Sequence, residues 1–272
     1  MPLRKPYKYR ASRWQTEPME TFRRSRAIVP LLDVLEEAGS TNDVMQARSG
    51  DLPDLAVVVT GNQTGGRGRL GRVWVAPPGK TLAISVLLKP EGLKPDAFGW
   101  FPLLAGLAMR RALAGFVPRE VEVKWPNDVL IDGAKVSGIL TELLPGMRGV
   151  VVGAGVNLTV AGDELPVPTA TSLLLAGATD PDTDAVLAAY LIELVVLYRD
   201  FLTAGGDAVR SALRGEVAAA CHTIGRAVRV ELPGGGSLTG VAVALDDTGR
   251  LIVESDAGRT AVAAGDVTHL RY

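Results

Sequence analysis

Cysteine and histidine are nearly missing from these 272 residues: Cys221 is the only thiol, and His222 and His269 are the only imidazoles. A lone cysteine excludes an intrachain disulfide, and so small a set of soft donors argues against a Cys/His metal centre. Cys221 reads as a small buried side chain. Long apolar runs are missing too. No stretch reaches the roughly 18 residues of a membrane span, and the amino terminus has no apolar core of the kind a secretory signal carries, so the expected compartment is the cytoplasm. The net charge of −1 gives no whole-molecule attraction to nucleic acid. What is present is a 47% apolar composition in short runs broken by Gly, Pro and charge, which suits a globular protein with one or two cores.

Charge is uneven along the chain. Residues 1–26 hold eight basic residues (Arg4, Lys5, Lys8, Arg10, Arg13, Arg23, Arg24, Arg26) against Glu17 and Glu20. This reads as a solvated tail, with a weak contact to an anionic partner as the alternative. Beyond it, valine-rich 55–61 and apolar 82–88 predict strands that flank a glycine- and arginine-rich loop, and 98–116 predicts a buried helix. Strands are predicted at 121–125 and 129–131 around Pro126, at 135–143 after the turn signal Asp132-Gly133, and at 149–158, with antiparallel neighbours. Helical spacing runs over 184–203 and stops at Gly205-Gly206, and a second helix is predicted over 207–220. From Ile224 onward short strands alternate with Gly- and Asp-rich turns, as in a small β-barrel of about fifty residues.

Two clusters carry chemistry. Gly66-Arg67-Gly68-Arg69-Leu70-Gly71-Arg72 sets three guanidinium groups in a loop whose glycines let backbone N–H groups approach phosphate oxygens. An RNA contact or a solvated loop remains an alternative on these residues alone. It is neither a P-loop nor a dinucleotide fingerprint, for it lacks the Gly-Lys-Ser/Thr ending and the acidic ribose partner. The second cluster is Lys124-Trp125-Pro126-Asn127-Asp128 followed by Lys135, which stands at a strand start beside a tight turn and can aim one compact charge into a cleft. A surface lysine with two turn-forming residues is the alternative.

Taken together and in order, Gly66 to Arg72 with Trp74, Lys124 to Asp128, Lys135-x-x-Gly138-Ile139-Leu140 and Gly153-x-Gly155-Val156-Asn157 resemble the biotin protein ligases. Ser40-Thr41-Asn42 and Gln63 match as well, and the likeness spans about residues 30–272. The resemblance implies an α+β fold: a mixed, largely antiparallel sheet flanked by helices, as in class II aminoacyl-tRNA synthetases, followed by an SH3-like small β-barrel. It implies a basic tail at 1–26, a catalytic domain at 27–222 and a C-terminal domain at 223–272.

The implied reaction uses ATP, biotin and Mg²⁺. The biotin carboxylate attacks the α-phosphate to give biotinyl-5′-AMP, and a lysine of a biotin carboxyl carrier domain, from acetyl-CoA carboxylase or a related carboxylase, then takes the biotinyl group. Carried over by motif, Lys135, Arg67 and Arg69 are catalytic. Ser40, Thr41, Asn42, Gln63, Gly66, Arg67, Gly68, Arg69, Lys135, Gly138, Gly153 and Gly155 bind biotin. Arg69, Arg72, Trp74, Asn127 and Asn157 bind the nucleotide, and Asp128 positions the acceptor lysine. No protein metal ligand is implied, since Mg²⁺ arrives on the ATP phosphates. Fewer than forty residues precede Ser40, too few for the DNA-binding domain of many relatives, so no sequence-specific DNA partner and no membrane partner is expected. Oligomeric state is open, a homodimer included. A lipoate or octanoate transferase is the alternative enzyme, and a nucleic-acid-binding module the alternative without catalysis.

Overall fold

The computed structural model describes residues 22–232 and 235–270. The short helix α1 (Arg23–Arg26) and strand β1 (Leu31–Leu35) lead into helix α2 (Thr41–Arg48) and strand β2 (Ala56–Thr60). Strand β3 (Thr81–Leu88), helix α3 (Phe101–Ala114) and the strands β4 (Val121–Lys124), β5 (Asp128–Ile131), β6 (Ala134–Leu143) and β7 (Val150–Asn157) follow. These seven strands form one sheet in the order β1-β2-β3-β7-β6-β5-β4, parallel between β1 and β2 and antiparallel elsewhere.

Strand alternation sorts side chains to two faces. Val57 and Val59 of β2, Leu82, Ile84, Val86 and Leu88 of β3, and Val150, Val152, Ala154 and Val156 of β7 point to the main core. That core is closed by α3, apolar on nearly every side and buried, and by helix α4 (Thr183–Thr203), whose Asp182 caps the first turn by accepting from Asp184 N at 3.0 Å. The other face carries Val58, Leu87 and Val151 near α2, and further along the strands Ala83, Ser85, Gly153 and Gly155.

Helix α5 (Leu213–Ala220) precedes a five-stranded antiparallel sheet of β8 (Ala227–Glu231), β9 (Ser237–Leu245), β10 (Leu251–Ser255), β11 (Gly258–Val262) and β12 (Asp266–His269), in the order β11-β10-β9-β8-β12. Two buried indoles tie it to the large sheet. Trp100 Nε1 donates to Asp247 O at 2.8 Å and Trp125 Nε1 to Gly249 O at 3.0 Å. Leaving either buried donor unpaired costs about 1–3 kcal/mol, so the β9–β10 turn is held in one place.

Several elements differ from the sequence pattern. The helix expected over 98–116 starts at Phe101, because Pro102 favours the first helical turn and 95–100 winds as a 3₁₀ segment. The helix expected over 207–220 starts at Leu213. Ala212 is left-handed (φ 62°), and Asp207 Oδ1 instead accepts from Val209 N and Arg210 N in a local turn. β1 and α2 carried no clear periodic signal.

The basic segment is also not wholly a solvated tail. Ser25 is fully buried, its Oγ donates to Asp184 Oδ1 at 2.6 Å, and Arg24 pairs with Asp182, which docks α1 on α4. Residues 1–21, the rest of that segment, lie outside the described residues. Among the described residues, no helix is long and apolar enough to cross a membrane.

Candidate active site

The register of the large sheet places small residues side by side. Ala83, Gly155, Gly138 and Asp128 form one cross-strand row over β3, β7, β6 and β5, and Ser85, Gly153 and Leu140 form the next. The result is a trough floored by backbone, and the loop 64–75 and the start of α2 roof it into a cavity of about 130 Å³. Arg67, Arg69 and Lys135 all line it, as do Ser40, Thr41, Asn42, Gln63, Gly68, Arg72, Trp74, Asn127, Asp128, Gly138, Gly153 and Gly155.

One end is lined by the uncharged polar side chains of Ser40, Thr41, Asn42 and Gln63. Thr41 N and Oγ1 donate to Gln63 Oε1 at 2.9 and 3.3 Å, and Ser85 Oγ bridges Thr41 Oγ1 (2.8 Å) and Asn42 Oδ1 (2.6 Å). Asn42 Nδ2 donates to Glu142 Oε2 at 2.6 Å. Gly153 must lack a side chain, since a Cβ there would come 2.9 Å from Asn42 Cγ. Ser85 and Glu142 were missed in the sequence. The signal for Ser85 was present, as the one hydroxyl inside an apolar strand.

The other end is charged. Lys135 is pinned through its backbone, N to Thr169 O and O to Thr171 N at 2.8 Å each, next to a bulge in the β5–β6 pairing. Its Nζ lies 2.6 Å from Asp128 Oδ1 and 5.7 Å from the centre of the Trp74 ring. Arg69 Nη1 donates to Asn127 Oδ1 at 3.0 Å, while Asn127 Nδ2 donates to Ile139 O at 2.7 Å. Burial pulls the Arg69 pKa down from its usual value, and nearby Asp128 and Asp266 oppose that shift. Arg67 is at the rim and already paired, its Nη2 donating to Asp43 Oδ1 at 2.6 Å and to Glu142 Oε1 at 3.2 Å.

Trp74 lies along the trough with its indole N–H buried and, among the described residues, without a hydrogen-bond partner. An orphan donor inside a polar cavity is costly, and a ligand acceptor would relieve it. Two expected residues are not brought to the cavity lining. Gly66 packs behind it, where a Cβ would meet Gln63 Nε2 at 2.8 Å. Asn157 is buried at the end of β7 and donates through Nδ2 to Thr171 O at 2.9 Å, which ties its amide to the 169–173 segment. The C-terminal sheet contributes Gly265 and Asp266, which the motifs did not indicate.

Among the described residues, no group of three or more His, Cys, Asp and Glu side chains could hold a metal ion. The cavity lining sets fixed cations beside uncharged polar side chains, an arrangement that suits a ligand with a polar neutral head and an anionic reacting end.

Comparison with known proteins points the same way. Residues 34–157 match the Biotin/lipoate A/B protein ligase family, and residues 223–270 match the Biotin protein ligase C terminal domain. The biotin--[acetyl-CoA-carboxylase] ligase of Mycobacterium tuberculosis is 39% identical over 245 residues, covering 88% of this chain and 89% of that protein. The biotin protein ligase of Aquifex aeolicus in complex with biotin and ATP superimposes with a TM-score of 0.74 at 28% identity, covering 89% of this chain and 100% of that one. The biotin protein ligase of Leishmania major in complex with biotinyl-5-AMP does so with a TM-score of 0.59 at 26% identity, covering 89% and 99%.

Proposed function

This chain belongs to the biotin protein ligase family, and from that premise we propose that it joins biotin to AMP and then passes the biotinyl group to a lysine of a biotin carboxyl carrier domain. Residues 27–222 form the catalytic part in this reading, and 223–272 the C-terminal module. The observation that supports it is the meeting of Arg69 and Lys135 in one cavity with the uncharged polar side chains of Ser40, Thr41, Asn42 and Gln63.

A carboxylate is a poor acyl donor until its oxygen becomes part of a good leaving group. In the first step a biotin carboxylate oxygen attacks the α-phosphorus of ATP. The bond to the bridging oxygen breaks, and pyrophosphate leaves with the electron pair. Charge grows on the phosphate oxygens, where Lys135 and Arg69, already oriented, stabilise it without reorganisation. Arg67 sits at the rim as a second guanidinium, available once an anion competes with Asp43 and Glu142. Mg²⁺ would come bound to the ATP phosphates as part of the substrate and would offset part of their charge.

The ureido head of biotin takes the place of water beside Ser40, Thr41, Asn42 and Gln63, and the ring lies on the floor of Gly138, Gly153 and Gly155. Arg72, Trp74 and Asn127 flank the nucleotide. In the second step the neutral amine of the carrier lysine attacks the acyl carbon, the acyl–oxygen bond breaks, AMP leaves with the electron pair, and the amine's proton passes to solvent. Asp128, beside Lys135, holds that amine in line. The loop 64–75 closes over an anhydride that water would hydrolyse. The cytoplasm, which holds ATP and carboxylases, is the compartment that goes with this reading, and no sequence-specific DNA contact enters the reaction.

The test is mass spectrometry of a carrier domain incubated with the protein, ATP, Mg²⁺ and either biotin or lipoate. One added biotinyl group, dependent on ATP, is the expected result. Modification with lipoate alone, or none with either acid, overturns the proposal.

A further inference from the structure

Two arginines of the 64–75 loop reach across to the C-terminal sheet. Arg69 Nη2 donates to Gly265 O at 3.3 Å. Arg72 pairs both terminal nitrogens with the Asp266 carboxylate, Nη1 to Oδ1 at 3.2 Å and Nη2 to Oδ2. Between the two arginines the backbone is left-handed twice, at Leu70 (φ 55°) and Gly71 (φ 75°). A leucine there is strained, and with 64% of its surface exposed it has little packing to hold it in place. The turn is kept by Arg72 N donating to Arg69 O (3.1 Å), by Gly68 N donating to Arg72 O (2.7 Å), and by the guanidinium anchor on each side. The anchoring backbone is itself confined, because a Cβ on Gly265 would come 3.0 Å from Glu231 O.

The anchors differ in kind. Arg69 is hydrogen-bonded to uncharged acceptors, Asn127 Oδ1 and Gly265 O. Arg72 is instead paired with the Asp266 carboxylate at the rim. We infer that Asp266 is a positioning residue for the reaction: through Arg72 it fastens the left-handed turn to the start of β12 and so keeps Arg69 directed at the phosphate side of the cavity. The inference rests on the ligase reading above. Asp266 touches no reacting atom in this role. An exposed ion pair adds little to global stability, so its signature is local.

The experiment compares the full-length wild type with Asp266→Ala and Asp266→Asn. Glu254→Ala, which breaks the exposed Arg259–Glu254 pair of the same sheet, serves as control. Wild type is assayed first for biotin-dependent pyrophosphate release, and failure there overturns the ligase reading and leaves the Asp266 variants unneeded. Given that activity, Asp266→Ala is expected to raise the KM for ATP about fivefold or more, with the KM for biotin within about twofold of wild type. Trypsin is expected to cut after Arg69 or Arg72 several-fold faster, at an unchanged melting temperature, while the control behaves as wild type. Asp266→Asn, which keeps the shape, is expected to fall between, and it decides the matter if the alanine variant does not fold. Wild-type values of both the KM for ATP and the cleavage rate overturn the inference. So does a lowered KM for ATP, which would make Asp266 a competitor for Arg72, and so does an equal loss toward biotin and ATP.

Discussion

The indole of Trp74 stands on the backbone of Gly155, so closely that a Cβ at that position would lie 2.7 Å from its Cζ2. The loop can close over the trough only because β7 has no side chain at that point. Replacing Gly155 with Val is expected to lower kcat/KM about tenfold or more by holding the ring, and the loop with it, away from the sheet. Gly162→Ala, where a Cβ meets nothing within 4 Å, is the control and is expected to match wild type. Pyrophosphate release measures both, and normal turnover in Gly155→Val would separate Trp74 from loop closure.

Lys135 is fixed at its backbone by Thr169 and Thr171 and faces Asp128 and the Trp74 ring. Its charge matters where charge grows, on the phosphate. Lys135→Ala is expected to lower the rate of adenylation by about a hundredfold or more while biotin affinity changes only a few-fold. Single-turnover pyrophosphate release and calorimetric titration with biotin distinguish the two effects. Equal losses in both would assign Lys135 to ground-state binding.

Ser85 is buried, its Oγ within hydrogen-bond distance of both Thr41 Oγ1 and Asn42 Oδ1, the second of which can only accept. Ser85→Ala leaves Asn42 Oδ1 without that donor inside the protein, which costs about 1–3 kcal/mol. Urea denaturation is expected to show that loss. Biotin titration is expected to show weaker binding with kcat little changed, because the polar end of the cavity loses its register and the cations do not. A variant with unaltered biotin affinity would remove this network from the pocket.

His269 links the C-terminal sheet to the catalytic part, its ring 5.0 Å from that of His222 and its Nε2 3.3 Å from Thr223 Oγ1. Burial, with repulsion from Lys124, His222 and Arg226, pushes its pKa down to about 4 from 6.5. The unfolded chain therefore binds more protons in that interval. The stability tied to this group is complete above pH 6.5 and is lost as the pH falls toward 4. Asp184, Asp207 and Asp246 are held below the usual 3.8, so their contributions fail only at still lower pH. Between pH 7 and pH 5 the wild type is expected to lose on the order of 1 kcal/mol through His269, allowing for its partial exposure to solvent. His269→Gln is expected to lose correspondingly less over the same interval. Parallel melting curves for the two proteins would exclude His269 as the titrating group.

Local pattern made much of this protein readable. The run Thr81–Leu88, the helix Thr183–Thr203 and the turn at Asp132-Gly133 are each specified by neighbours within a few residues, because periodicity, caps and left-handed turns are short-range constraints. The same holds for the cations of the arginine loop and for Lys135. Their motifs mark which residues line the cavity, because each requires a glycine or a proline nearby to shape the backbone. α2 and β1 were not legible. Their sequences are too polar or too short to show a period, and packing on the sheet decides them.

The sequence by itself determined the residue types of the site: three guanidinium groups, an ammonium, and the small residues of the floor. Tertiary structure alone decided how they are used. Cross-strand register set Gly155 beside Gly138, and the packing of α2 on the sheet set Asn42 against Gly153. Folding also placed Asp43 and Glu142 on Arg67, turned Asn157 toward Thr171, and brought Asp266 to Arg72 from 194 residues away. An ion pair or a side-chain clash depends on distance in space, and distance in space is set only when sheet, loop and C-terminal module pack together.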